Sequence, residues 1–303
     1  MSKLYQGRLE SLTVGNVVNI ALLIYKSNLQ QYIRISFQSM LWSLAGYILP
    51  GGLILLGYSA TNSWQLVGFL CLAWIGFGFY CAAKSLTTQA IISRLAYQEL
   101  IDRPESLQEA SKEVHQRILS FLQLNILANG RIGCYQYIID FILFFIIKFM
   151  TNMNKGLGSL FEIAGLIIEI ICLSFLTARS FISSMPLATE RKNTAISSID
   201  RSWDLTAFRA AKIQLIILTA FAITFPFQLI LLTPVILLFM PLVKTLATSK
   251  IGWIVLLRPD FWLASGVFLV VLLLSSALVS PYWSALQAVI YYDLKNRHKG
   301  FNL

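Results

Sequence analysis

Acidic side chains inside apolar sequence are where chemistry would be sought first, because burying charge in lipid is costly. Asp140 lies in one long apolar run, and Glu162 and Glu169 lie in the next. Glu162 and Glu169 are seven residues apart, so they share one helical face. Counted inward from the short connection near residues 151–157, Asp140 and Glu169 reach similar depths near mid-membrane. Two roles are open for them. One is a proton or cation relay between adjacent helices. The other is a protonated or hydrogen-bonded pair that holds the bundle together, helped by Tyr135, Tyr137 or Gln136.

Active sites of the kind found in soluble enzymes have little support. The two histidines, His115 and His298, belong to no HExxH motif and stand beside no Cys or Ser nucleophile. Gly156-Leu157-Gly158 lacks a preceding strand, so it is expected to be a turn and not a nucleotide cradle. Cys71, Cys81, Cys134 and Cys172 form no CxxC pair and are expected to be small buried hydrophobes. Asp293, Asp200 and His115 are the weak candidates for a lipid-modifying dyad at the membrane rim. The expectation is therefore of no catalytic residue, no metal and no cofactor.

These residues must be positioned by membrane helices. Of the 303 residues, 57% are hydrophobic and 13% charged, with mean hydropathy +0.69, whereas a soluble domain carries about 25% charge. That balance excludes a soluble globular enzyme, a disordered tail and a disulfide scaffold. A crossing needs about 20 apolar residues, and six stretches qualify: 35–58, 64–83, 126–149, 159–178, 213–242 and 261–281. The fifth contains Pro226, Pro234 and Pro241 and is expected to be kinked or broken. Glycines 68, 76 and 78, with Ala73, would let neighbouring helices approach closely. No cleavable signal peptide is expected. The net charge of +10 is explained by topology and calls for no nucleic acid. Nineteen of the 24 Lys and Arg fall on one side of the six stretches, which predicts that both termini are cytoplasmic.

Each odd-numbered stretch follows an amphipathic segment. These segments begin at Val17, Ser106 and Ala195, successive starts being 89 residues apart. The pattern predicts three repeats, 13–100, 104–192 and 193–303, within one all-α domain. Each would be an interfacial helix followed by a transmembrane hairpin. Leu107, Ala110, Val114 and Ile118 give the second segment its apolar stripe. The tail Tyr291-Tyr292-Asp293-Leu294-Lys295-Asn296-Arg297 has the aromatic and basic character of a membrane-edge anchor. Asp293 would pair there with Arg201.

The tail YYDLKNRHKGFNL, with Pro281 upstream, resembles the ending of the glycerophosphoryl diester phosphodiesterase membrane domain family and related six-helix bacterial proteins. So does Asp200-Arg201-Ser202-Trp203. The segments LTVGNVVNIALLIYKSNL and ISRLAYQELIDRPESLQEA resemble its cyanobacterial branch. The resemblance implies a helical membrane domain with Arg201, Trp203, Tyr291, Tyr292, Asp293 and Arg297 as motif residues. The family's catalytic phosphodiesterase barrel is not expected here, so that activity is not carried over. It also implies a bacterial inner membrane, or a thylakoid membrane in the cyanobacterial case. The leading expectation is a non-enzymatic membrane organiser or assembly factor that meets anionic lipid headgroups or another membrane protein complex. The alternative is an ion- or proton-coupled transporter built on the intramembrane carboxylates.

Overall fold

The computed structural model describes residues 13–61, 64–190, 192–248 and 259–300. Lys3, Arg8, Arg191, Lys250 and Arg258 of the charge count lie outside the described residues, as do the two ends of the N- and C-terminal motifs. The described helices are α1 Val14–Ser27, α2 Leu29–Thr61, α3 Trp64–Leu100, α4 Leu107–His115, α5 Ile118–Met153, α6 Lys155–Ser180, α7 Ser184–Thr189, α8 Ala195–Thr206, α9 Ala210–Thr248 and α10 Pro259–Gly300. Five stretches within them are long and apolar enough to cross a membrane: Gly68–Leu100, Ile118–Met153, Gly156–Thr189, Ala210–Leu237 and Phe261–Arg297. The protein is membrane-embedded and all-helical among the described residues. Helix α2 is 33 residues long.

Hydroxyl caps start three of the four short helices, α1, α4 and α8. Thr13, Ser106 and Thr194 each accept the backbone N–H three residues on, from Asn16, Glu109 and Ser197. In α4 and α8 the side chain of that third residue returns the bond, closing a capping box. The apolar faces that follow do not turn to lipid as expected. In α1, Val17, Val18, Ile20, Ala21 and Ile24 are buried, where the helix packs on α9 and α10. Helix α8 packs on α5, α6 and α7. A stripe of period 3.6 says only that one face avoids water, and here protein supplies the cover. The second stripe is also shorter than the sequence suggested. Helix α4 ends at His115, buries Ala110 and Val114, and leaves Leu107 exposed.

The prolines do not break α9, which is assigned as one 39-residue helix. Pro226 and Pro234 stand eight residues apart, so each removes a single isolated rung while its neighbours hold. Pro281 lies within α10 in the same way.

The connection between α5 and α6 is Asn154 alone, whose side chain caps Gly156. The Gly-Leu-Gly run is thus the first turn of α6 and not a loop. A Cβ at Gly158 would stand 2.8 Å from the Thr151 Cα, so only glycine lets the hairpin close. At Gly68, Gly76 and Gly78 a Cβ would meet nothing within 4 Å, and the expected close approach occurs instead at Gly46, Gly158 and Gly165. Cys81 is buried, but Cys134 is exposed, contrary to expectation.

Burial is concentrated at one end of the molecule. The core joins α1, the C-terminal turns of α3 (Ile91, Ile92, Ala96), α7 (Met185, Leu187) and the C-terminal turns of α10 (Leu286, Val289, Tyr291). Away from it the helices are largely uncovered. Of the most apolar 18 residues of each stretch, none is buried in Ile118–Met153, 6% in Gly156–Thr189 and 28% in Phe261–Arg297. Serines supply some interhelical polar contact, as where Ser39 meets Ser85 at 2.7 Å and Ser36 meets Ser280 at 2.7 Å. Neighbour contacts run α3–α5, α5–α6, α6–α9, α9–α10 and α10–α3, closing a ring of five helices.

Candidate functional site

Where helices α3, α5, α6, α7 and α10 meet is a cleft of about 260 Å³. Its walls mix amides and hydroxyls, among them Gln89, Ser93, Asn125, Asn129, Ser184 and Gln287, with apolar side chains such as Phe121, Leu124 and Phe181, and none of its lining residues carries a charge. Ser93 and Ser184 both lie 3.4 Å from the Gln287 Oε1, to which they donate. Asn129 donates to Asn125 Oδ1 at 2.7 Å. Leu86 and Asn125 also line a larger groove of about 500 Å³, bounded by Ser43 and Gly46 of α2 and by Trp74, Ile75 and Phe79 of α3. The two spaces therefore adjoin at Leu86 and Asn125. The sequence did not point to the cleft, because its polar residues are neutral and come from five separate helices.

The family-like motifs converge on a residue the sequence reading passed over, Glu190. Its carboxylate accepts from the Tyr291 hydroxyl at 2.8 Å, from Lys295 Nζ at 2.8 Å and from Asn193 Nδ2 at 2.7 Å. Arg201 Nε stands 3.8 Å away. Burial raises the Glu190 pKa, but the bonds from Lys295 and Tyr291, the charge of Lys295 and the bond from Asn193 outweigh it and hold the carboxyl below its ordinary range. The rings of Tyr97 and Tyr291 pack at 5.4 Å, with Lys295 beside both. Asp293 does not pair with Arg201. It pairs with Arg297, one turn along α10, because the two share a helix face. Tyr292 packs against the core from its edge.

Two further guanidiniums hold the carbonyl end of α7. Arg94 donates to the Ala188 carbonyl at 2.9 Å while its fork grips Glu105 at 2.7 and 2.8 Å. Arg117 donates to the carbonyls of Leu187 at 2.7 Å, Glu190 at 2.9 Å and Asn193. Cations at a helix C-terminus complete its unpaired carbonyls and complement its dipole.

Trp203 forms a second junction. The guanidinium carbons of Arg131 and Arg179 lie 4.1 and 4.3 Å from the centre of its ring, and Tyr135 stacks on it at 5.8 Å. Its indole N–H donates to Ser180, and Ser202 donates to the Arg179 carbonyl. Asp200 pairs with Arg131 at 3.1 Å. The motif Asp200-Arg201-Ser202-Trp203 thus bolts α8 to α5 and α6.

Among the intramembrane carboxylates, Asp140 and Glu169 are brought together and Glu162 is not. The Gln136 amide nitrogen donates to Asp140 Oδ1 at 2.9 Å and to Glu169 Oε1 at 3.1 Å. The Gln136 carbonyl oxygen is buried without a partner. Tyr137 is exposed, and Tyr135 is engaged with Trp203. Glu162 stands exposed on α6. Among the described residues, no three His, Cys, Asp or Glu side chains cluster as a metal site would require. Comparison with family models, curated proteins and solved structures returns no match for this chain.

Proposed function

We propose that the chain is a non-enzymatic, six-span membrane organiser, with α2 as the sixth crossing and both termini on the cytoplasmic side. The observation that carries this reading is the uneven burial. Charged groups are spent on locking the basic end, through Glu190, Arg94 and Arg117, while the spanning stretches leave their apolar flanks uncovered. Flanks of this kind suit lateral contact with lipid or with the helices of a partner complex. The outward-facing Lys26, Arg103, Lys112 and Lys192 at the same end suit anionic headgroups. The hydroxyl-capped order of short helix, long helix and long helix supports three repeats of one unit. Affinity purification in mild detergent with quantitative identification of what accompanies the chain tests this. A stoichiometric membrane partner is the expected result, and a chain that purifies alone sinks the assembly role.

Proton-coupled transport is the second reading, and one observation favours it: a single amide links Asp140 and Glu169 across α5 and α6. It expects proton-dependent flux in liposomes holding this protein alone. Unchanged flux in a variant carrying Asp140→Asn and Glu169→Gln removes it.

A further inference from the structure

The cleft and the groove adjoin at Leu86 and Asn125 and differ in chemistry. At the polar end, several hydrogen-bonding groups lack protein partners. The Gln89 side chain and the amide nitrogens of Asn125 and Gln287 make no hydrogen bond among the described residues, and all three line the cleft. An amide offers two donors on nitrogen and two acceptor sites on oxygen. Such groups facing one small cleft match a ligand rich in hydroxyls. The lining carries neither cation nor anion, so nothing there would balance the charge of a phosphate. Desolvating an unpaired charge in such a place is expensive.

At the other end the groove is apolar, walled by Trp74, Ile75, Phe79 and Leu86. It stays open because Gly46, Gly78 and Ala82 fill so little of it. From Gln89 to Trp74 the wall of α3 runs 15 residues, about 22 Å at 1.5 Å per residue. One leaflet of hydrocarbon is about 15 Å deep. The polar end lies toward the packed end of the molecule, which the proposed topology puts at the headgroups, and the groove runs from there along α3.

We infer that the cleft and the groove together bind one membrane lipid with an uncharged sugar headgroup, a glycosyl diacylglycerol. The sugar occupies the amide and hydroxyl cleft, and an acyl chain lies along the α2–α3 groove. The inference stands apart from the organiser reading, since binding requires no partner protein. Asn129 is exposed and its side chain bonds to Asn125, so Asn129→Leu removes a cleft contact without touching the core. Ala82 is exposed on the groove, so Ala82→Trp fills the acyl path.

The test reconstitutes the full chain in nanodiscs containing equimolar monohexosyl diacylglycerol and phosphatidylglycerol. Native mass spectrometry then reads the lipid retained on release, and thermal unfolding of the delipidated proteins confirms that both variants fold. The expected result is about tenfold preferential retention of the glycolipid, a difference of about 1.4 kcal/mol, lost in each variant. Equal retention of the two lipids, preference for phosphatidylglycerol, or a preference that survives either substitution overturns the inference. So does a free methyl hexoside that binds as tightly as the lipid, since the ligand would then be a soluble sugar.

Discussion

Replacing Glu190 with Leu removes the acceptor shared by Tyr291, Lys295 and Asn193. It strands a lysine ammonium beside two tyrosine rings and leaves the hydroxyl of Tyr291, a fully buried residue, without its partner. Hydrogen bonds to charged groups contribute about 1.5–3 kcal/mol, and breaking one side of a buried pair costs about 3–5 kcal/mol. The side chains of Glu190 and Lys295 keep 26% and 21% of their exposure, so water relieves part of that cost. The expected loss is about 2–4 kcal/mol, a fall in Tm of about 4–10 °C for a chain of this size. Glu190→Gln keeps an acceptor for Tyr291 and should lose about half as much. Adding Lys295→Met to Glu190→Leu should restore about 1 kcal/mol or more, because the stranded cation goes with it. The pH dependence has a definite sign. Folding holds the Glu190 carboxyl below its ordinary range, so its contribution is complete above that range and disappears as pH falls through the folded value. The gap between wild type and Glu190→Leu should therefore be full at pH 7 and narrow in acid. Thermal unfolding in detergent, followed by tryptophan fluorescence at several pH values, measures all of this. A Glu190→Leu protein within about 1 °C of wild type, or a gap that widens in acid, would refute the reasoning.

Three other outcomes are expected. Asp102, at φ 59°, closes α3 in the left-handed region, with Arg103 N–H donating to the Gln98 carbonyl; Asp102→Gly should stabilise by about 0.5–1 kcal/mol in the same unfolding assay. Gly158→Ala places a Cβ against the Thr151 backbone and should cost about 1–3 kcal/mol, with cysteine cross-linking across the α5–α6 turn reporting the opened hairpin. Trp203→Leu removes the ring that Arg131 and Arg179 share and the indole bond to Ser180; a loss of about 2–4 kcal/mol is expected, and a loss under about 0.5 kcal/mol would show that the stack is incidental.

The spans were legible because a crossing demands about twenty apolar residues in a row, a signal that little else produces. The continuation of α3 beyond Ala83 was not. Thr87, Thr88, Ser93 and Arg94 lower the hydropathy of that segment, yet three of them are buried and Arg94 nearly so. The three hydroxyls return to carbonyls three or four residues back in α3 itself, whereas the Arg94 guanidinium is satisfied by Glu105 and the Ala188 carbonyl, which only the tertiary fold supplies. Arg94 and Arg117 were counted as topology determinants and Glu190 was passed over, because charge counting does not distinguish a solvated side chain from one turned inward. The pairing of Asp140 with Glu169 was foreseeable from depth, since both count inward from one tight turn. The cleft was not, because amides and hydroxyls scattered over five helices leave no spacing to read. Amphipathic periodicity marked α1, α4 and α8 but could not tell a lipid cover from a protein one.

The clasp on Glu190 also sets an order of events during synthesis. Its partner Tyr291 lies 101 residues further along the chain, and Lys295 lies 105. At about 5–20 residues per second, the ribosome needs roughly 5–20 s to make that distance. During this interval the earlier hairpins sit in the bilayer with α7 already made and its docking surface on α10 not yet emerged. Each nascent molecule is thus inserted well before it is locked, and the unlocked interval exposes it both to membrane proteases and to any lipid or helix that would occupy the gap first.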